Sequence, residues 1–234
     1  MRIKFVFLLM GFLCLSSVFS AEDSKVSDEK DIHLGIGFSI PVYFSHFSVE
    51  DDLFDGGHHS PALAVSVNSM YEIPQKSLAL IARFEYGWLG ADSKDFWGEK
   101  SLTGMKGNEW AFSFGAGYKL KPSEKLLLVS GASVALRKTD LRGAYKASQD
   151  DVTIVKNDYS YSCWDFELGP DLYCLVKIKK NLGLGIDFNP SFKILSNGNV
   201  SIDDNLTGKT SEIKCSSALG SMNLSTHISL VYSF

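Results

Sequence analysis

Two His-x-Ser pairs carry the side chains of nucleophilic catalysis: His46 with Ser48, and His227 with Ser229. Serine becomes a nucleophile only where a base reaches it and a third group orients that base. Neither pair has an obvious companion carboxylate, so no catalytic residue is assigned and the chain is expected not to be an enzyme. The run Glu50-Asp51-Asp52-Leu53-Phe54-Asp55-Gly56-Gly57-His58-His59 offers oxygen and imidazole ligands for a divalent cation. Its spacing fits no calcium loop or zinc motif, so it reads as a solvated loop, and no metal or cofactor is expected.

A third set of polar residues is spread along the chain: Arg83, Glu85, Arg137, Asp165, Glu167, Asp171, Asp187 and His227. Each alternates with apolar neighbours, and several stand two apart. Residues i and i+2 share a face only in a strand. The elements that must position these charges are therefore strands, and the pattern of the whole chain agrees.

From Leu34 the apolar residues recur at every second position, as in Leu34, Ile36, Phe38, Ile40, Val42 and Phe44. Similar runs start at Leu63, Leu78, Trp110, Leu126, Trp164 and Leu182. The last is Met222, Leu224, Thr226, Ile228, Leu230, Tyr232 and Phe234. None of these positions carries a charge, although 21% of the chain is charged. The alternate face holds the charges, with many Gly, Ser and Asn. A soluble sandwich also alternates. Here, however, the uncharged face is continuous over all the runs, and the runs exceed the usual strand length of about 5–6 residues. Lipid cannot satisfy an open strand edge, so such a sheet must close on itself. The expected fold is all-β: a closed, up-and-down, eight-stranded antiparallel transmembrane barrel over 31–234.

Connections alternate in length. Short turns fall at 74–77, 121–125 and 179–181, and long loops near 45–61, 89–108, 138–160 and 195–218. Barrels of this kind have short periplasmic turns and long external loops, which puts both termini in the periplasm. Trp88, Trp110, Trp164, Phe44 and Phe192 would form an outer aromatic girdle, and Tyr71, Tyr118, Tyr232 and Phe234 an inner one. Residues 1–20 carry Arg2 and Lys4, an apolar run from Phe5 to Leu15, then small residues. That is a secretory signal peptide, too short to span. Cys14 follows bulky Phe12 and Leu13, which argues against a lipoprotein. Residues 21–30 read as a polar periplasmic lead. With 23 basic and 27 acidic residues the chain is mildly acidic, so nucleic acid is excluded as a partner.

The segment Leu224-Ser-Thr-His-Ile-Ser-Leu-Val-Tyr-Ser-Phe234 resembles the C-terminal signature of outer-membrane proteins. With the eight-strand layout, the chain is similar to the small barrels of the OmpA transmembrane domain, OmpX and OmpW. That resemblance implies the bacterial outer membrane, contact with its lipids and lipopolysaccharide or an equivalent, and a monomer. It also implies recognition of Tyr232 and Phe234 by the barrel-assembly machinery.

Eight strands enclose a space that side chains just fill. Arg83 and Arg137 are expected to pair with Glu85, Glu167, Asp171 or Asp187, because buried charges need partners. A polar path for solutes is the weaker alternative. In the OmpW-like case, small apolar or amphipathic molecules would leave sideways into the bilayer. Pro170 and Pro190 lie on the lipid face, where they mark either a side opening or tolerated bends. Export permits a Cys163–Cys215 disulfide tying two external loops, with Cys174 left free on the lipid face. The expected role is structural, adhesive or host-contacting, through the loops. A porin-like OmpW-type channel is the alternative, and a lipid A-modifying enzyme a distant third.

Overall fold

The computed structural model describes residues 32–44, 47–49, 60–91, 105–149, 152–217 and 222–234. They form ten strands: β1 (Ile32–Phe44), β2 (Phe47–Val49), β3 (Ser60–Glu72), β4 (Leu78–Ala91), β5 (Met105–Ser123), β6 (Leu126–Gln149), β7 (Val152–Lys179), β8 (Leu182–Asp204), β9 (Lys209–Ser217) and β10 (Met222–Ser233). Eight of them close a ring in the order β1, β3, β4, β5, β6, β7, β8, β10, each antiparallel to the next. Closure comes from β10, which pairs with β8 from Met222↔Phe192 to Tyr232↔Leu182 and with β1 from Phe44↔Met222 to His33↔Ser233. The signal peptide, the polar lead, His46 and the acid-rich run 50–59 lie outside the described residues.

The barrel is apolar outside and polar inside. Ile36, Phe38 and Ile40 of β1 are 72%, 60% and 67% exposed, while His33 and Ser39 between and beside them are buried. Phe84, Phe112, Phe114, Leu168, Ile228 and Leu230 continue the exposed belt. A soluble monomer does not present apolar surface on this scale. Hydrocarbon is the medium in which it costs nothing, and a closed ring is the sheet that leaves no edge there.

At one rim the connections are tight. Ile73 N–H donates to Leu78 O at 2.9 Å to close the β3–β4 turn, and Gln75 takes the left-handed conformation at φ 57°. Two-residue links join β5 to β6 and β7 to β8. At the other rim the connections are long, but two of the expected loops are built as sheet. β6 and β7 stay paired out to Gln149↔Val152, so 138–160 is largely an extended hairpin. β8 runs on to Asp204, turns at 205–208, and returns as β9, paired from Asp204↔Lys209 to Gly198↔Cys215. β2 adds to β9 at its edge. One side of the barrel therefore rises as a tall wall of β6, β7, β8 and β9. The sequence conceals this because both faces of the wall lie beyond the apolar belt. Without a lipid face there is no alternation to mark a strand; Asn197, Asn199, Ser201 and Asp203 are the outward residues of β8 there.

Candidate functional site

The lumen is filled in layers. At the short-turn rim, Glu72 at the end of β3 accepts from Lys119 Nζ at 3.1 Å and Lys121 Nζ at 2.9 Å. Its other oxygen lies 3.1 Å from His33 Nε2, and His33 Nδ1 is 2.7 Å from Ser233 Oγ. This cluster ties β1, β3, β5 and β10 together. Above it is an apolar plug of Met70, Ala79, Ile81, Leu127, Val129, Tyr173, Leu175 and Val231.

The charged layer comes next. Arg83 on β4 forms a two-pronged bond to Asp171 on β7, Nη1 to Oδ2 at 2.8 Å and Nη2 to Oδ1 at 2.6 Å. Its Nε pairs with Asp187 of β8. Arg137 on β6 donates from Nε to Glu167 at 3.1 Å, pairs through Nη1 with Glu109, and lies 3.6 Å from Glu85. His227 on β10 joins the two groups: Nε2 is 2.6 Å from Glu85 and Nδ1 3.8 Å from Asp187. Asp165 is held by Lys193 at 2.6 Å. Neutral donors complete Glu167, with Ser191 Oγ at 2.7 Å and Asn223 Nδ2 in contact. All the charged members of this layer are buried. The small residues opposite them leave the room: a Cβ on Gly115 would lie 2.9 Å from Asp171 Oδ2 and 2.9 Å from Ser133 Cβ.

Every charge in the sequence-derived set thus faces the lumen. Glu109 and Lys193, absent from that set, belong to the same layer. Glu109 precedes Trp110, the first residue of the fourth run, and Lys193 sits between two lipid-facing residues of the seventh. Alternation alone would have found both. Nearer the tall rim one register row is apolar again: Leu89, Gly107, Leu141, Tyr161, Val200 and Ile213 align across β4 to β9. Leu89, Leu141, Tyr161 and Val200 of that row are buried.

His227 and Ser229 share the lumen face but are engaged apart, Ser229 accepting from Asn68 Nδ2 at 3.1 Å. Ser48 lies on β2, and its partner in the motif is outside the described residues. The expected Cys163–Cys215 bridge is not formed. Cys163 is a buried free thiol, 3.2 Å from Ser196 Oγ and 3.4 Å from Asp165. Its register partner is Gly198, whose partner in turn is Cys215. Two strand spacings, about 10 Å, separate the backbones, beyond the reach of a disulfide. Cys174 is also a free thiol. The chain closes on Phe234, whose N–H donates to Ile32 O at 2.9 Å and whose ring packs edge-on against Tyr232 at 4.9 Å.

Between β7 and β8 the ladder is interrupted. Pairing stops at Leu168↔Phe192 and resumes in the same register at Leu172↔Phe188. That register sets Pro170 opposite Pro190, and neither has an N–H to donate. About 14 Å of seam lacks its ladder bonds at 3.4 Å per residue. Asn189 covers part of it, its side-chain amide 3.5 Å from Pro170 O and 2.6 Å from Ser133 Oγ. The strands still touch, because a Cβ on Gly169 would collide with the Pro190 and Ser191 backbone.

No family model and no curated protein matches the sequence. The fold is similar to that of the outer-membrane protein OprG from Pseudomonas aeruginosa, at 11% identity and a TM-score of 0.56, covering 91% of this chain and 99% of that one. It is also similar to a major outer membrane protein from Thermus thermophilus, at 14% identity and a TM-score of 0.54, covering 86% and 99%. The chain has the fold of the small outer-membrane β-barrel proteins.

Proposed function

We propose that this chain is a sealed barrel of a bacterial outer membrane that holds a contact surface outside the cell and performs no chemistry. One observation carries the reading: the lumen is filled across its section while one side of the barrel continues as sheet beyond the apolar belt. Both termini are then periplasmic, and β6 to β9 face outward as the surface for extracellular or host ligands. A rigid scaffold with variable outer segments is a common way to place binding residues. The non-enzymatic part is supported by His227 and Ser229, which are committed to Glu85 and Asn68. Swelling of vesicles holding the refolded chain tests the seal. Uptake of sugars or amino acids at the rate of empty vesicles is expected, and uptake well above it would end the reading. Binding of the chain to extracellular-matrix components, abolished by deleting 143–158, tests the wall.

A second reading has its own observation, the seam at Pro170 and Pro190. A ladder without bonds over that length is a place where small apolar molecules could leave for the bilayer. Uptake of an apolar solute that falls when both prolines become Ala would favour it.

A further inference from the structure

Lys106 on β5 and Arg142 on β6 stand directly opposite each other, both exposed on the outer face. Like charges at that position destabilise a strand pair. Neither is in an ion pair among the described residues. Lys138 lies on the same face of β6, four residues nearer the belt, with Trp110 opposite it on β5 and Trp164 opposite it on β7. Its ammonium is 5.5 Å from the centre of the Trp164 ring, and the two indoles meet edge-on at 5.1 Å. Asp140, between Lys138 and Arg142, is 3.1 Å from Lys138 and neutralises that one charge. The next row toward the membrane is Phe112, Leu136 and Phe166, 50%, 41% and 36% exposed. Cations therefore sit just beyond an aromatic belt, over an apolar strip, and the Lys106–Arg142 pair has no ion-pair partner among the described residues.

We propose that Lys106 and Arg142 bind the phosphate of an anionic lipid headgroup in the leaflet at the tall rim, its acyl chains running past Trp110 and Trp164 onto Phe112, Leu136 and Phe166. An anion between Lys106 and Arg142 turns their repulsion into two charge-assisted contacts, which phosphate accepts from both residue types. Basic groups at the headgroup level select anionic lipids, and the indoles hold Lys138 at that level. A soluble anion would find the same charges but no use for the apolar strip. The site lies at the foot of the wall, outside the segment 143–158 whose deletion tests the wall as a contact surface.

The test uses the full chain refolded in phosphatidylcholine vesicles, with or without a minority of phosphatidic acid. K106Q/R142Q is compared with K209Q/K214Q, which removes the same charge from β9. In phosphatidylcholine alone, K106Q/R142Q should melt above wild type, because the repulsion is gone. Phosphatidic acid should raise the melting temperature of wild type and K209Q/K214Q but not of K106Q/R142Q, reversing the order. Native mass spectrometry should show phosphatidic acid binding weaker by about tenfold in K106Q/R142Q, a loss on the scale of one charged contact. R142Q alone gives the same signs if the double variant folds poorly. Equal gains in all three proteins, or equal loss in K209Q/K214Q, would show diffuse attraction and overturn the site. Stabilisation of wild type by inorganic phosphate at matched concentration would overturn the lipid as its ligand.

Discussion

Replacing Arg137 by Met should be the most damaging single change in the lumen. Its guanidinium is bonded to Glu167 and Glu109 and lies 3.6 Å from Glu85. All three carboxylates are buried, and the next cations, Lys193 and Arg83, are already held by Asp165 and by Asp171 and Asp187. His227 covers only Glu85. Removing one member of a buried ion pair costs about 3–5 kcal/mol, because the charge left behind has neither water nor partner. Here Glu109 keeps Thr139 Oγ1 at 3.3 Å, and Glu167 keeps Ser191 and Asn223. Those neutral bonds offset part of the loss, so about 3 kcal/mol is expected. Urea unfolding of the refolded barrel in vesicles, followed by tryptophan fluorescence and by electrophoretic mobility of the unheated protein, measures it. Adding E109Q and E167Q to R137M should restore most of the stability, since neutral amides can satisfy the layer without a counter-charge. A loss under about 1 kcal/mol for R137M, or no recovery in the triple variant, would refute the account of the lumen as mutually compensated charge.

Other outcomes follow from single contacts. Gly115→Ala should cost about 1–3 kcal/mol, because its methyl enters the space of Asp171 and Ser133 and crowds the bond to Arg83; a neutral effect would mean the layer is loosely packed. Cys163 should resist a maleimide reagent in the folded barrel and react after unfolding, and a non-reducing peptide map should show no link to Cys215. Asp204, outside the belt, accepts from Thr207 Oγ1 at 2.6 Å and Leu206 N–H at 2.9 Å. Chiefly the Thr207 hydroxyl holds its carboxyl below the usual carboxylate range. A depressed folded value means the turn's support is present above the unfolded carboxylate range and lost as pH falls through the folded one. The protection factors of the Leu206 and Thr207 amides, taken against the intrinsic exchange rate at each pH, should then fall only below the ordinary carboxylate range, and a midpoint near neutrality would contradict it. Phe234→Ala keeps the backbone bond to Ile32. It should lower the yield of barrel in cells while leaving refolding into vesicles unchanged, and equal yields would remove Phe234 as an assembly signal.

The strict alternation of charged and uncharged positions from Leu34 to Phe234 was enough to define eight strands, their faces and their closure. The reason is that a spanning strand has one face in hydrocarbon, where a charge is too costly to keep, so the medium writes its period into the residues. The same rule put Arg83, Glu85, Arg137, Asp165, Glu167, Asp171, Asp187 and His227 inside. It could not say which pairs with which. Arg83 meets Asp171 from 88 positions away, and such partners follow from register and stagger around the ring, which local pattern does not encode. Beyond the belt the medium is water on both faces, and the pattern fades. There the tertiary structure alone decided that 138–160 and 195–217 are wall, and that Gly198 stands between Cys163 and Cys215. It alone set Pro170 against Pro190 and Lys106 against Arg142, because each of these juxtapositions depends on the register between paired strands, which the local pattern leaves open.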